Sequence, residues 1–234
     1  TPDSNFSVSS KSYKLLHISS CFPRKSPEIL LKAYGQAFSI HDDVTLIIKT
    51  FHNPHNQIED LIKIEEETNK SFPEVNIIYD DLNDSQLKAL YLSSNVFIAP
   101  SRGEGFGLPI GEAMLLEVPV ITTGWGGQLD FCNINNSWLI DFDFIKADTH
   151  FNLEQSYYAE PKLNHLSNLM KLLYSMPNND IKRKTDVAKN DILKITWNNV
   201  SQKNLDFFSH VSSSCNQIIP KIGWITTWNT RCGI

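Results

Sequence analysis

The chain has 234 residues, 41% of them apolar and 11% aromatic, with 21 basic against 26 acidic side chains and a formal charge of −5. These figures exclude a fully disordered chain and give the size of one large domain, or one domain with attachments, that buries roughly 70% of its unfolded surface. They also exclude a global positive field that would gather nucleic acid or anionic lipid. Residues 1–12, rich in Ser and Asn, read as a linker. From Tyr13 onward, short apolar runs alternate with amphipathic stretches, which predicts an α/β domain built on a doubly wound parallel sheet. Strands are predicted at 13–19, 44–51, 75–80, 95–100 and 119–123. The helix at 27–39 places Ile29, Leu30, Ala33, Tyr34, Ala37 and Phe38 on one face, and that at 57–68 sets Ile58, Leu61 and Ile62 against an acidic outer face. A third helix starts at Asn83, with Gln86 completing a capping box. A fourth starts at Leu108-Pro109, where proline suits the first turn, and runs to about Glu117. After residue 140 the pattern becomes helical, with helices at 162–176, 179–194 and 198–208. Residues 209–217 read as a second linker before a new element at Ile218.

The densest chemistry lies in Pro100-Ser-Arg-Gly-Glu-Gly-Phe-Gly-Leu-Pro-Ile-Gly-Glu112. It follows a buried strand and enters a helix, where ligands of such a sheet bind. Glycines at 103, 105 and 107 permit positive φ and close backbone approach. The helix start aims unpaired amides outward with the positive end of its dipole behind them, which makes an anion site. The loop matches neither G-x-G-x-x-G nor a Walker motif, and glycines alone also suit a loop that serves only packing. Glu104 and Glu112 add acceptor-only carboxylates suited to vicinal diols. An anion site between two such groups fits a sugar nucleotide.

These residues resemble the retaining glycosyltransferases of the GT-B fold, family 4. The E-x7-E signature is matched by Glu104 and Glu112 with the intervening Gly-Phe-Gly-Leu-Pro, and by the continuation Glu-Ala-Met, Pro119-Val-Ile and Gly126-Gly127. The resemblance covers roughly residues 14–208. It implies a Rossmann-like nucleotide-sugar-binding domain at 13–208, the C-terminal half of a GT-B architecture followed by C-terminal helices. It further implies that Glu112 binds the nucleotide ribose, that Glu104 lies beside the transferred sugar, and that Gly105, Phe106, Gly107, Leu108, Gly126 and Gly127 meet the donor. The family places an arginine and a lysine after the first strand to hold the diphosphate. Lys25 aligns with the lysine, while the arginine position falls on Ser19 or Ser20; Arg24 and Arg102 are the substitutes at hand, each by default a solvated surface charge. Catalysis is thus assigned to Lys25 and Glu104, with Arg24 in donor binding, and neither a metal nor a cofactor is expected. The implied donor is a UDP-sugar, UDP-glucose before GDP-mannose, with a saccharide acceptor and an N-terminal GT-B domain as partners.

Other readings stand beside this one. A noncatalytic nucleotide-sugar-binding module would carry the same donor residues. Asp141-Phe-Asp143 spells a DxD, which would make a metal-dependent transferase, although it falls past the predicted sheet. His52 and His55 lack a third ligand. Trp125 suits either stacking on a sugar or capping the sheet. The four cysteines (Cys21, Cys132, Cys215, Cys232) make no CxxC pair and point to a reducing compartment. Without an apolar run of about 18 residues or a signal-like start, the expected location is cytoplasmic and no membrane span is expected; in that setting the four Asn-x-Ser matches carry no meaning. The chain opens on Thr1 rather than methionine, as if cut from something longer. Residues 218–234 read equally as the opening of another glycosyltransferase domain or as a closing segment of this one.

Overall fold

In the computed structural model the described residues are 1–147 and 155–214. Six parallel strands form one sheet: β1 (Tyr13–Ile18), β2 (Val44–Lys49), β3 (Glu74–Ile78), β4 (Val96–Ala99), β5 (Val120–Thr123) and β6 (Trp138–Ile140), in the order β3-β2-β1-β4-β5-β6. Helices α1 (Pro27–Ala37), α2 (Ile58–Thr68), α3 (Asp84–Leu92), α4 (Leu108–Leu115), α5 (Leu163–Ser175) and α6 (Asn178–Ile192) cover it. β1 pairs with β2 on one side and with β4 on the other, so the winding reverses between β1 and β4. That crevice, beyond the carboxyl ends of the strands, is where such sheets place a ligand.

The sheet is buried on both faces, and side-chain alternation divides the core. Leu15, Leu46, Ile48, Ile98 and Ile121 pack with Leu30, Leu31 and Tyr34 of α1 and Leu166, Met170 and Leu173 of α5. Phe97, on the opposite face, meets Tyr91 of α3. Period-two alternation within each strand directs successive side chains to opposite helix layers. Asn83 caps α3 through its side chain, with Gln86 returning to the Asn83 amide as the capping box predicts.

Several expectations change. Helix α4 ends at Leu115 rather than Glu117, because Glu117 takes φ +60 and turns to pair with Lys182 and Lys189 of α6. The region after 140 is not wholly helical: β7 (Phe142–Lys146) and β8 (Tyr157–Pro161) form an antiparallel pair, and β6 adds a sixth strand to the main sheet. Neither was predicted: β6 has only three residues, and Phe142–Lys146 mixes rings with charges where the predicted strands are apolar runs. Residues 1–12 are irregular but tied down: Lys11 Nζ donates to the carbonyls of Ile40 and Asp42 at 2.8 and 2.7 Å, and the Asp3 amide to Ser85 O at 3.0 Å.

The chain divides into compact units at Thr1–Leu193 and Lys194–Ile234, a boundary earlier than the expected domain end at 208. In the second unit α7 (Trp197–Ser214) begins with Thr196, whose Oγ1 accepts from the Asn199 amide at 3.2 Å. It runs through 209–214, which were expected as linker. Residues 215–217 and the segment 218–234 lie outside the described residues. No described helix is long and apolar enough to cross a membrane.

Candidate functional site

Two loops meet at the switch point. The first leaves β1 and contains the 3-10 turn Pro23–Lys25, bracketed by Cys21 and Ser26 in the left-handed region at φ 53 and 52. Such non-glycine residues cost about 1–2 kcal/mol each and persist where surroundings over-determine them. The second is the 100–107 loop leaving β4. Residues 79 positions apart in sequence are joined here: Lys25 Nζ forms an ion pair with Glu104 Oε1, which also accepts from Ser101 Oγ at 2.7 Å. The side chains of Lys25 and Glu104 are 14% and 9% exposed, so water screens this pair little. Burial holds the Lys25 amine below its ordinary pKa, with the Glu104 carboxylate pulling the other way.

The remaining predicted residues fall into distinct places. Arg24 is about half exposed, lies 4.0 Å from Glu104 Oε2 and donates to Gly103 O at 3.4 Å, so it faces the same site. Among the described residues the amides of Gly105, Phe106, Gly107 and Leu108 have no hydrogen-bond partner, and they cluster at the start of α4. Glu112 is exposed on α4, and the Tyr91 hydroxyl donates to its Oε2 at 2.8 Å. The Tyr91 phenol is pushed well above its ordinary pKa by burial and then by that carboxylate, so it stays a donor. Phe106 packs its ring 5.0 Å from Phe131, and Leu108 is exposed.

The glycines do different work from the expectation. Of the three loop glycines only Gly107, at φ +85, takes a positive φ, and outside that loop Gly126 does so at φ +123; a side chain at Gly103 or Gly105 would meet nothing within 4 Å. Gly126 and Gly127 support the loop: the Gly127 amide donates to Glu104 O at 2.8 Å, so it is not free for a ligand. A Cβ at Gly127 would lie 1.9 Å from Gly105 O. Beneath them buried Gln128 donates to the carbonyls of Thr123 and Trp125 at 2.9 and 2.8 Å. Trp125 is exposed, with its ring 4.9 Å from that of Phe144 on β7.

Arg102 is corrected outright. It is not a solvated surface charge: its side chain is 11% exposed and pairs with Glu28 of α1 and Glu160 of β8. Asp141 and Asp143 pair with His165 and Lys162, each at 3.3 Å. Among the described residues no three His, Cys, Asp or Glu side chains gather in a metal-binding group. His52 stacks on Tyr79 with centroids 3.8 Å apart, and His55 meets Phe22 edge-on.

One residue at the site was missed. His17 of β1 is buried, with Nδ1 2.7 Å from Ile98 O and Nε2 2.7 Å from Ser19 Oγ. A carbonyl only accepts, so Nδ1 carries the proton and Nε2 accepts from the serine hydroxyl. Ser19 Oγ in turn accepts from the Cys21 amide at 3.0 Å, which ties the start of the Lys25 loop to the sheet. Its only sequence signal is a polar residue in an apolar strand. Burial pushes the His17 pKa down to about 4. A depressed histidine favours the neutral folded form: its contribution is complete above the ordinary value near 6.5 and is lost as pH falls through about 4. This group is expected to cost about 3 kcal/mol of stability across that interval. Urea unfolding of the wild type and His17→Gln from pH 7 to 4 checks this, and parallel stability curves would refute it.

The fold matches solved glycosyltransferases. The glycosyltransferase of Rickettsia africae ESF-5 aligns at TM-score 0.66 with 19% identity, covering 89% of this chain and 48% of that one. HepE of Anabaena, solved with UDP and glucose, aligns at 0.63 with 18% identity, covering 87% and 49%. The C-terminal domain of the group 1 family protein LpcC from Francisella tularensis aligns at 0.62 with 15% identity, covering 80% and 87%. The chain thus spans about half the length of the first two, and its sheet is the Rossmann-like sheet of the GT-B fold. No curated protein matches. The family model for glycosyl transferases group 1 matches residues 3–147, more than half of the sequence, and the chain belongs to that family.

Proposed function

We propose that this chain is the donor-binding, C-terminal half of a retaining family 4 glycosyltransferase that transfers the sugar of a UDP-sugar to a saccharide acceptor. The observation that carries the reading is the meeting of Lys25, Arg24 and Glu104 at the strand switch point, under unpaired amides at 105–108. Two cations and a set of amides suit a diphosphate. Glu112, exposed and oriented by Tyr91, suits the two ribose hydroxyls. The likeness to the separately solved C-terminal domain of LpcC supports the placement in the C-terminal half, and the UDP and glucose bound by HepE support the base and UDP-glucose as the first donor, ahead of GDP-mannose.

Breaking the bond between the sugar and the outer phosphate builds negative charge on the departing diphosphate. Lys25, Arg24 and the loop amides stand where that charge grows, and fixed dipoles there need no reorganisation. This positive set does the work a metal ion would otherwise do, and the reading includes no resident metal. Glu104 lies beside the transferred sugar, holding Lys25 in place. The acceptor and any further basic residue belong to the N-terminal partner domain, whose closure completes the site.

UDP at a hundred times its Kd is expected to stabilise the chain by about 2.7 kcal/mol, a rise in melting temperature of roughly 5 °C or more. Glu112→Ala should remove most of that rise. A thermal-shift panel of nucleoside diphosphates and their sugars measures this, and no shift with any of them would end the proposal.

A further inference from the structure

The two loops of the site meet through residues 79 positions apart in sequence, and one side chain holds them in register. The Arg102 Nη1 donates to Pro23 O, inside the turn that bears Arg24 and Lys25. Its Nη2 donates to Glu28 Oε1 in the first turn of α1 and to Glu160 Oε1 at 2.8 Å, and its Nε donates to Glu160 Oε2. Four hydrogen bonds thus use most of the five donors that a guanidinium offers in one rigid plane. The backbone repeats the connection: the Arg102 amide donates to Arg24 O at 2.8 Å, and Arg102 O accepts from the Ala159 amide at 3.2 Å.

We infer that Arg102 is the positioning residue of this site: it fixes the Pro23–Lys25 turn against the loop that carries Glu104, and it holds β8 of the β7–β8 pair to that loop. Glu104 lies two residues beyond Arg102 and Lys25 two beyond Pro23, so the guanidinium-to-carbonyl bond sets the distance between the catalytic amine and carboxylate. Two carboxylates surround the one guanidinium, which leaves no positive charge to offer a phosphate. Arg102 therefore acts through Lys25 rather than on the donor. A lysine at this position would supply a point charge in place of a planar fork and could not hold the three elements together.

The test reads Lys25 without any ligand. In the chain labelled with 13C-lysine, the Lys25 amine, assigned by its loss in Lys25→Met, should titrate below the ordinary lysine value in the wild type. In Arg102→Met it should move up toward that value while the circular dichroism spectrum is retained. Arg102→Lys should show the same shift in smaller degree, and it carries the measurement if the methionine variant does not fold. A purely stabilising role would lower the melting temperature and leave the Lys25 titration where it was, which would overturn the inference.

The second readout rests on the donor-binding reading. UDP affinity by calorimetry should fall about tenfold in Arg102→Met, the loss of roughly one charge-assisted hydrogen bond. Glu28→Gln with Glu160→Gln, which frees the guanidinium charge but loosens the tie, should also weaken UDP binding. Tighter binding in that double variant would make Arg102 a direct phosphate ligand and overturn its positioning role. Should the wild type bind no nucleoside diphosphate, the donor reading fails, and the Lys25 titration still decides the role of Arg102.

Discussion

If the chain works as proposed, Lys25→Met, assayed with the proposed N-terminal partner domain present, is expected to slow sugar transfer about a thousandfold, the upper range for removing one preorganised donor from a developing oxyanion. The size follows from burial. The Lys25 side chain is 14% exposed and its partner Glu104 9% exposed, so the charge acts through little water. Methionine keeps the length and apolar stem and removes only the ammonium. It also leaves the Glu104 carboxylate with only the hydroxyl of Ser101 and the distant Arg24, adding repulsion toward an approaching diphosphate. Because the phosphate gains charge as the bond breaks, kcat should fall more than KM rises. Arg24→Met should cost only about tenfold, since that guanidinium is about half exposed and water screens it. Initial rates with labelled donor measure both. A Lys25→Met enzyme within tenfold of the wild type would remove Lys25 from the chemistry.

Gly127→Ala is expected to destabilise the chain by about 3 kcal/mol and to abolish the UDP-dependent rise in melting temperature. The added Cβ would lie 1.9 Å from Gly105 O and 2.6 Å from Gly105 C, both backbone atoms with no flexible end to move aside. The two loops would have to separate, losing the Gly127 amide bond to Glu104 O and shifting the free amides beside it. Gly103→Ala is the control: it has nothing within 4 Å and should stay within about 0.5 kcal/mol of the wild type. Urea unfolding with and without UDP compares them. Equal midpoints for the two variants would dissolve the interlock between these loops.

Five strands of the main sheet were legible because buried parallel strands are short, nearly continuous apolar runs between amphipathic helices. Val44–Lys49 and Val96–Ala99 show this directly, and the helix starts at Asn83 and Leu108 carried their own capping chemistry. The β7–β8 pair was not legible, since Phe142–Lys146 mixes rings and charges and draws its stability from a partner strand and from Arg102. The helical nature of 209–214 was hidden by Ser and His, residues of middling propensity that equally suit a linker.

By itself the sequence determined the α/β class, the signature loop with its two glutamates, and the family, because these rest on local period and on residues within a dozen positions of each other. Tertiary structure alone decided how the cations around that loop are paired and buried. The resemblance pointed to Lys25, and folding buries it against Glu104; Arg102 looked like a surface charge, and folding buries it between Glu28 and Glu160. It also assigned Gly127 to loop packing and placed His17 as a neutral anchor beneath the Lys25 turn. The physical reason is common to all four. A side chain's charge, burial and freedom depend on partners that the chain brings from tens of residues away, and no local pattern records them.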